Sequence, residues 1–111
     1  MSTNAQIGIM QDNGKILAVY LHWDGYPDHA GKILNEFYNT PEKIYELLQM
    51  GEISSIAPSI DECEFYMRDR GQKDCVHQVY SSEEWWKQSC GGYYYYYLFK
   101  DGKWHVTNLS R

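Results

Sequence analysis

Five consecutive tyrosines, Tyr93 to Tyr97, constrain this chain more than any other feature. The run favours a strand, and on a strand successive side chains point to opposite faces. Tyr93, Tyr95, Tyr97 and Phe99 then share one side, with Tyr94, Tyr96 and Leu98 on the other. One side can enter a core. The other must carry rings into solvent, into an interface or under helices. Asp101-Gly102 follows between two β-rich runs, the strongest short hairpin signal a sequence offers. Tyr93 to Lys100 and Lys103 to Asn108 are therefore expected to pair, with Trp104 and His105 opposite the run. A half-buried strand is the plain outcome. A homodimer surface, a partner site or a platform for stacking bases is the functional one, and it makes Tyr93, Tyr95 and Tyr97 candidate interface residues.

With 111 residues, 43% of them hydrophobic and 23% charged, the chain has the length and apolar content of one domain, 1–111. Its 11 Tyr, 4 Trp and 3 Phe let a small core be built from few side chains. A formal charge of −5 argues against general nucleic-acid binding, which needs Lys and Arg to displace counterions. No apolar run approaches the roughly 20 residues that span a bilayer, and Met1 to Gln6 lacks the pattern of a secretory signal. Cys63, Cys75 and Cys90 are odd in number and lack C-x-x-C spacing, which fits a reducing cytoplasm better than a disulfide scaffold.

Along the chain, Ile7 to Met10 and Lys15 to Trp23 read as strands around the turn Asp12-Asn13-Gly14. Leu17, Val19, Leu21 and Trp23 form the core side of the second strand. Ile16, Ala18, Tyr20 and His22 form a smaller side that grows polar towards His22. Pro27 opens a helix with Ala30, Ile33, Leu34 and Phe37 on one stripe. Thr40 and Pro41 open another, carrying Ile44, Leu47 and Leu48 and ended by Gly51. Cys63 to Met67 and Cys75 to Tyr80 read as paired strands across Arg68-Asp69-Arg70-Gly71. Ser81-Ser82-Glu83-Glu84 matches a capping box with Ser81 as the cap of a short helix bearing Trp85 and Trp86. The order ββααββαββ predicts an α+β fold, a mainly antiparallel sheet with two to three helices packed on one face.

Two constellations carry candidate chemistry. His22-Trp23-Asp24-Gly25-Tyr26-Pro27 places an imidazole, a carboxylate and two aromatics where a strand becomes a helix. A ring stacked on Trp23 or Tyr26 could present its polar edge to His22 and Asp24, although Asp, Gly and Pro are also ordinary turn chemistry. On a continuing strand Arg68 and Arg70 would share a face, and two guanidiniums so placed clamp a phosphate or carboxylate. The alternative is a solvated hairpin end neutralised by Asp69. His22, Trp23, Asp24, Tyr26, Arg68 and Arg70 are thus the candidate ligand-binding residues, and an anionic, nucleotide-like molecule the candidate ligand. No cofactor motif is present. Cys75-x-His77 lacks the second half of a zinc knuckle, and no nucleophile stands beside a base at a known catalytic spacing.

Taken together, H-x-D-G-Y-P with G-x-x-L at His22 to Leu34, E-I-S-S at Glu52 to Ser55, Y-x-R-D-R-G at Tyr66 to Gly71 and the closing hairpin of Tyr95 to Val106 resemble a family of small tailed-bacteriophage proteins. The resemblance implies a context, not a catalytic role: a protein of the infected bacterial cytoplasm that acts against a host defence by binding. Two mechanisms fit it, sequestering a nucleotide-like signal or occluding a defence protein through the tyrosine strand and the acidic stretches Asp61-Glu62 and Glu83-Glu84. A small hydrolase or nucleotide-modifying enzyme centred on His22 and Asp24 is one alternative. A structural or regulatory protein that self-associates through residues 93–97 is another.

Overall fold

The computed structural model describes residues 2–108. Strands β1 (Ala5–Met10) and β2 (Ile16–Leu21) form an antiparallel hairpin in which Ala5 faces Leu21 and Met10 faces Ile16. Its turn uses Gly14 at φ 83°, and the Asn13 Oδ1 accepts the Lys15 N–H at 3.0 Å. Pro27 does start a helix: a wide π-type turn over Pro27–Gly31 runs into α1 (Lys32–Phe37). Helix α2 (Pro41–Leu48) has Pro41 in its first turn and Thr40 as cap, whose hydroxyl accepts the Lys43 N–H at 3.3 Å.

The remaining elements are β3 (Ile53–Ser55), β4 (Glu64–Phe65), α3 (Tyr66–Arg70), β5 (Gln78–Tyr80), α4 (Glu83–Ser89), β6 (Tyr95–Lys100) and β7 (Lys103–Asn108). All the strands join one seven-stranded sheet of order β4-β3-β2-β1-β6-β7, with β5 on the outer edge of β2. The fold is α+β, and strands dominate it. The β1–β2, β2–β5, β3–β4 and β6–β7 pairs run antiparallel, whereas β1–β6 and β2–β3 run parallel, so the sheet is mixed.

Three local expectations give way. The strand begun near Cys63 ends at Phe65, because Asp69 reaches back to accept the Phe65 N–H at 2.8 Å and Gly71, at φ 64°, closes a helical turn behind Arg70. Arg68 and Arg70 therefore leave a helix rather than one face of a strand. The segment 75–80 pairs with β2 and not with β4. The helix cap near residue 82 is Ser82, one residue later than the capping box places it, accepting the Trp85 N–H at 3.1 Å.

Alternation divides the sheet into two faces. On the first, Ile7, Ile9, Val19, Leu21, Tyr97 and Phe99 pack beneath Leu34, Ile44, Leu47 and Leu48 of α1 and α2. On the second, Ile16, Ala18, Tyr96 and Leu98 pack beneath α4 through Trp86 and Cys90. Helices thus lie on both faces, and α4 is the addition to the expected layer. Gly8 makes the second contact possible: a Cβ there would lie 2.9 Å from Ile16 Cγ2 and 3.2 Å from the Trp86 ring. Trp86 settles edge-on to Tyr96, with centroids 5.5 Å apart.

The tyrosine run is core on both sides. Tyr97 (2% exposed) faces the first layer and Tyr96 (1%) the second. β6 lies between β1 and β7, so neither of its edges is open. Tyr97 donates to the Gly25 carbonyl at 2.6 Å, and Tyr96 donates to the Cys90 carbonyl. Tyr95 is half-buried against the first core. Tyr93 precedes the strand and turns to the opposite core, beside Tyr96. These three residues do not form one exposed face: Tyr97 is buried, and Tyr95 and Tyr93 turn to opposite cores. Across the hairpin, Trp104 meets Phe99 rather than a tyrosine and donates to the Leu34 and Tyr38 carbonyls at the end of α1.

Candidate functional site

The second face is incompletely covered, and its open part is polar. β2 carries β5 along Ile16–Ala18 and β3 only at Leu21, so its outer edge forks at Val19 and Tyr20. A cavity of about 520 Å³ opens at this fork, bounded by the end of α4. Asn4, Gln6, Tyr20, Glu52, Tyr80 and Tyr93 supply its polar and aromatic walls.

Each wall residue is placed by an ordinary local rule. Gln6 stands beside Tyr20 across the β1–β2 ladder, on the side that alternates away from Ala5 and Ile7. Its Oε1 accepts the Trp86 indole N–H at 3.3 Å, and its amide lies beside the Tyr93 hydroxyl. Tyr20 and Tyr93 meet with ring centroids 5.5 Å apart, inclined at 55°. Tyr80 accepts from the Cys90 thiol at 3.1 Å. Glu52 is fixed by its backbone, its N–H bound to the Cys75 carbonyl at 2.8 Å and its carbonyl to the Tyr66 N–H at 3.3 Å. Gly51 makes that approach possible. It sits at φ 85°, and a Cβ there would strike the Cys75 carbonyl oxygen.

Burial perturbs this wall as a group. Desolvation holds the Glu52 carboxyl above the usual carboxylate range. Desolvation likewise raises the Tyr20, Tyr80 and Tyr93 hydroxyls, with the Glu52 charge adding to each. No ion pair among the described residues engages Glu52. Asn4 Oδ1 is a buried side-chain acceptor without a hydrogen-bond partner among the described residues. No Lys, Arg or His among the described residues lines the cavity. Concave shape, convergent polar groups and shifted titrations are together the physical signature of a binding site.

The ligand-binding residues singled out from sequence lie elsewhere. Arg68 is spent within its own turn: it pairs with Asp69 at 2.9 Å, donates to the Ile60 and Cys63 carbonyls at 3.0 and 2.7 Å, and stacks on Phe65. Arg70 pairs with Glu64 at 3.0 Å, donates to the Ser54 hydroxyl at 3.2 Å and stacks on Tyr66. The arrangement is a neutralised helical turn, not an open clamp. Asp24, at φ 56°, is an exposed turn residue and caps no helix. Trp23 is 41% exposed rather than core, and Tyr26 is 40% exposed. His22 alone reaches towards the cavity. Its Nδ1 bonds the Tyr20 hydroxyl, and its ring stands edge-on to Trp23, with centroids 4.6 Å apart. His22 therefore positions a wall residue without lining the wall.

A second hollow of about 580 Å³ lies between the hairpin tips and the start of α2. Its cation, Lys100, is already bound to Glu83 at 2.9 Å. No group of three or more His, Cys, Asp or Glu gathers at metal-binding distance among the described residues. No helix among them is long and apolar enough to cross a membrane. Family models, curated proteins and solved structures all gave no match to this chain.

Proposed function

We propose that this chain is a small non-enzymatic protein that captures a small molecule in the fork cavity, and that it serves a tailed phage by withdrawing a signal on which a bacterial defence depends. The cavity carries the first half: a hollow of about 520 Å³ with a desolvated carboxyl, three tyrosines and three side-chain amides on its walls. That volume lies inside the ordinary range for small-ligand pockets. The second half rests on the resemblance borne by the segments 22–34, 52–55, 66–71 and 95–106.

Binding without turnover is supported by how the reactive groups are held. Burial pushes the Cys63 and Cys90 thiols up, away from the reactive thiolate. Cys63 also accepts the Ala57 N–H at 3.2 Å. The His22 imidazole is tied to the Tyr20 hydroxyl rather than to a thiol. The two guanidiniums expected to hold the phosphate of a nucleotide-like ligand are bound to protein groups.

The deciding experiment is native mass spectrometry of the protein after incubation with bacterial lysate, followed by heat release. An intact small molecule, bound one to one and lost from a Gln78→Trp variant that fills the cavity wall, supports capture. A chemically altered molecule replaces it with an enzyme. A co-purifying polypeptide and no small molecule overturns capture and moves attention to the exposed Trp23 and Tyr26 surface.

A further inference from the structure

If the fork cavity is a binding site, as proposed above, its wall chemistry narrows the ligand. We infer that it takes a small organic cation, an ammonium or guanidinium group seated against the Glu52 carboxylate and the rings of Tyr20, Tyr80 and Tyr93. Four observations converge on this class.

The first is charge. Among the described residues Glu52 is the one ionic side chain on the wall, and no cation among them balances it. A carboxylate partly withdrawn from water attracts a positive partner far more strongly than a solvated one does. The second is the surrounding aromatic surface. Tyr20, Tyr80 and Tyr93 line the same hollow, and ring faces carry negative potential that attracts ammonium and guanidinium groups. Tyr20 and Tyr93 touch at a 55° incline, so they form a corner rather than a parallel slot for a flat base. A compact cation fits a corner.

The third is an unmet acceptor. The Asn4 Oδ1 atom is buried and finds no donor among the described residues, and a ligand that brings N–H donors supplies one. The fourth is the absence of Lys, Arg and His from the lining among the described residues, which leaves no cationic side chain there to hold an anion. A metal ion fits less well. Hard cations collect several oxygen ligands, carboxylates among them, and the described wall has one carboxylate.

Calorimetric titration with agmatine, 1,4-diaminobutane, AMP and GMP separates this inference from the reading it rests on. Agmatine or diaminobutane is expected to bind at one site, and Glu52→Gln to weaken it at least tenfold with the melting temperature unchanged or higher. Tyr93→Leu, which removes a ring and keeps the charge, is expected to weaken it by a smaller factor. Glu84→Gln, an equal charge change on the exposed side of α4, is expected to leave it unaltered. Equal weakening by Glu52→Gln and Glu84→Gln would reduce the effect to general attraction by an acidic protein and overturn the site. Binding of AMP or GMP without either amine would overturn the cation and keep small-molecule capture. No binding of the four probes, with an intact small molecule still recovered from lysate, would do the same. Silence in both experiments would remove the cation and the capture together.

Discussion

The two faces of the sheet are built to different standards. The first is closed by α1, α2 and the turn before them, and its side chains are aliphatic or aromatic with few polar atoms to satisfy. The second is closed by one short helix and one short edge strand, and its row Asn4, Gln6, Tyr20 is polar. A sheet face left polar and partly uncovered costs stability, since apolar burial there would contribute about 25 cal/mol for each Å². Such a cost is commonly retained where a site is needed. The first face holds the fold together, and the second is where the fold makes room.

That contrast is most easily broken at Trp86. It is the fully buried indole that pins α4 to the second face, and it also orients Gln6. Trp86→Ala is expected to cost about 3–5 kcal/mol, in the range of other large core truncations. A urea titration showing under 1 kcal/mol would mean that α4 is a loose flap and that the second face has no core of its own. Gly51→Ala comes next. A non-glycine residue at φ 85° costs about 1–3 kcal/mol before its Cβ displaces the Cys75 carbonyl. The same variant should disturb Glu52, so stability and ligand capture are expected to fall together. Gly8→Ala should cost about 1–3 kcal/mol by overpacking between Ile16 and Trp86, without touching Glu52. If Gly51→Ala leaves capture intact, Glu52 is not held where the cavity needs it.

The first face was legible in the sequence because each of its elements announces itself locally. Thr40-Pro41, Gly14 and Asp101-Gly102 each dictate a backbone conformation, and the apolar stripe of α2 leaves no choice of side, whereas Phe37 of the α1 stripe stays 41% exposed. The second face was harder to read for two reasons. Its site is assembled from Asn4, Gln6, Glu52, Tyr80 and Tyr93, which lie on four separate segments joined only by the fold. The N-terminal segment also reads as a polar tail, although Asn4, Gln6 and Gly8 alternate with Ala5, Ile7 and Ile9 at the strand period. That alternation was the available signal. The polar end of β2 was read correctly, but it pointed to His22 when Tyr20 beside it forms the wall. The arginines misled for a different reason. A strand reading put them side by side, while Asp69 and Gly71 mark a helical turn that consumes both.

Glu52 sharpens the comparison through pH. Its carboxyl is raised by burial, so folding favours the protonated form. The stability this contributes is fully present below the usual carboxylate range and is lost as pH rises through the raised value. Glu52→Gln keeps the neutral shape at every pH. The variant is therefore expected to match the native chain near pH 4 and to exceed it at pH 7, as read from urea midpoints at the two values. Asp69 and Glu83 act in the opposite sense, because bonds to Arg68 and Lys100 hold their carboxyls low, but both are common to the two proteins and cancel. A Glu52→Gln chain less stable than native at pH 7 would mean that the carboxylate already has a favourable partner, and the second face would lose its unsatisfied charge.

The smallest effect is expected where the sequence pointed first. Arg70 and Glu64 form an ion pair with both side chains more than two-fifths exposed, at 41% and 44%. Exposed pairs of this kind contribute about 0–1 kcal/mol, since water screens the attraction and two long side chains must be ordered to make it. A double-mutant cycle with Arg70→Ala and Glu64→Ala should return a coupling in that range, and capture by the fork cavity should be unchanged in all three variants. The stacking of Arg70 on Tyr66 adds a contact that the cycle leaves out, because it is lost equally with and without Glu64. A large loss of capture on Arg70→Ala alone would be the informative failure. The Tyr66 N–H bonds the Glu52 carbonyl, so such a loss would show that α3 supports the wall of the cavity through its first residue and that the division between the two faces is drawn too sharply.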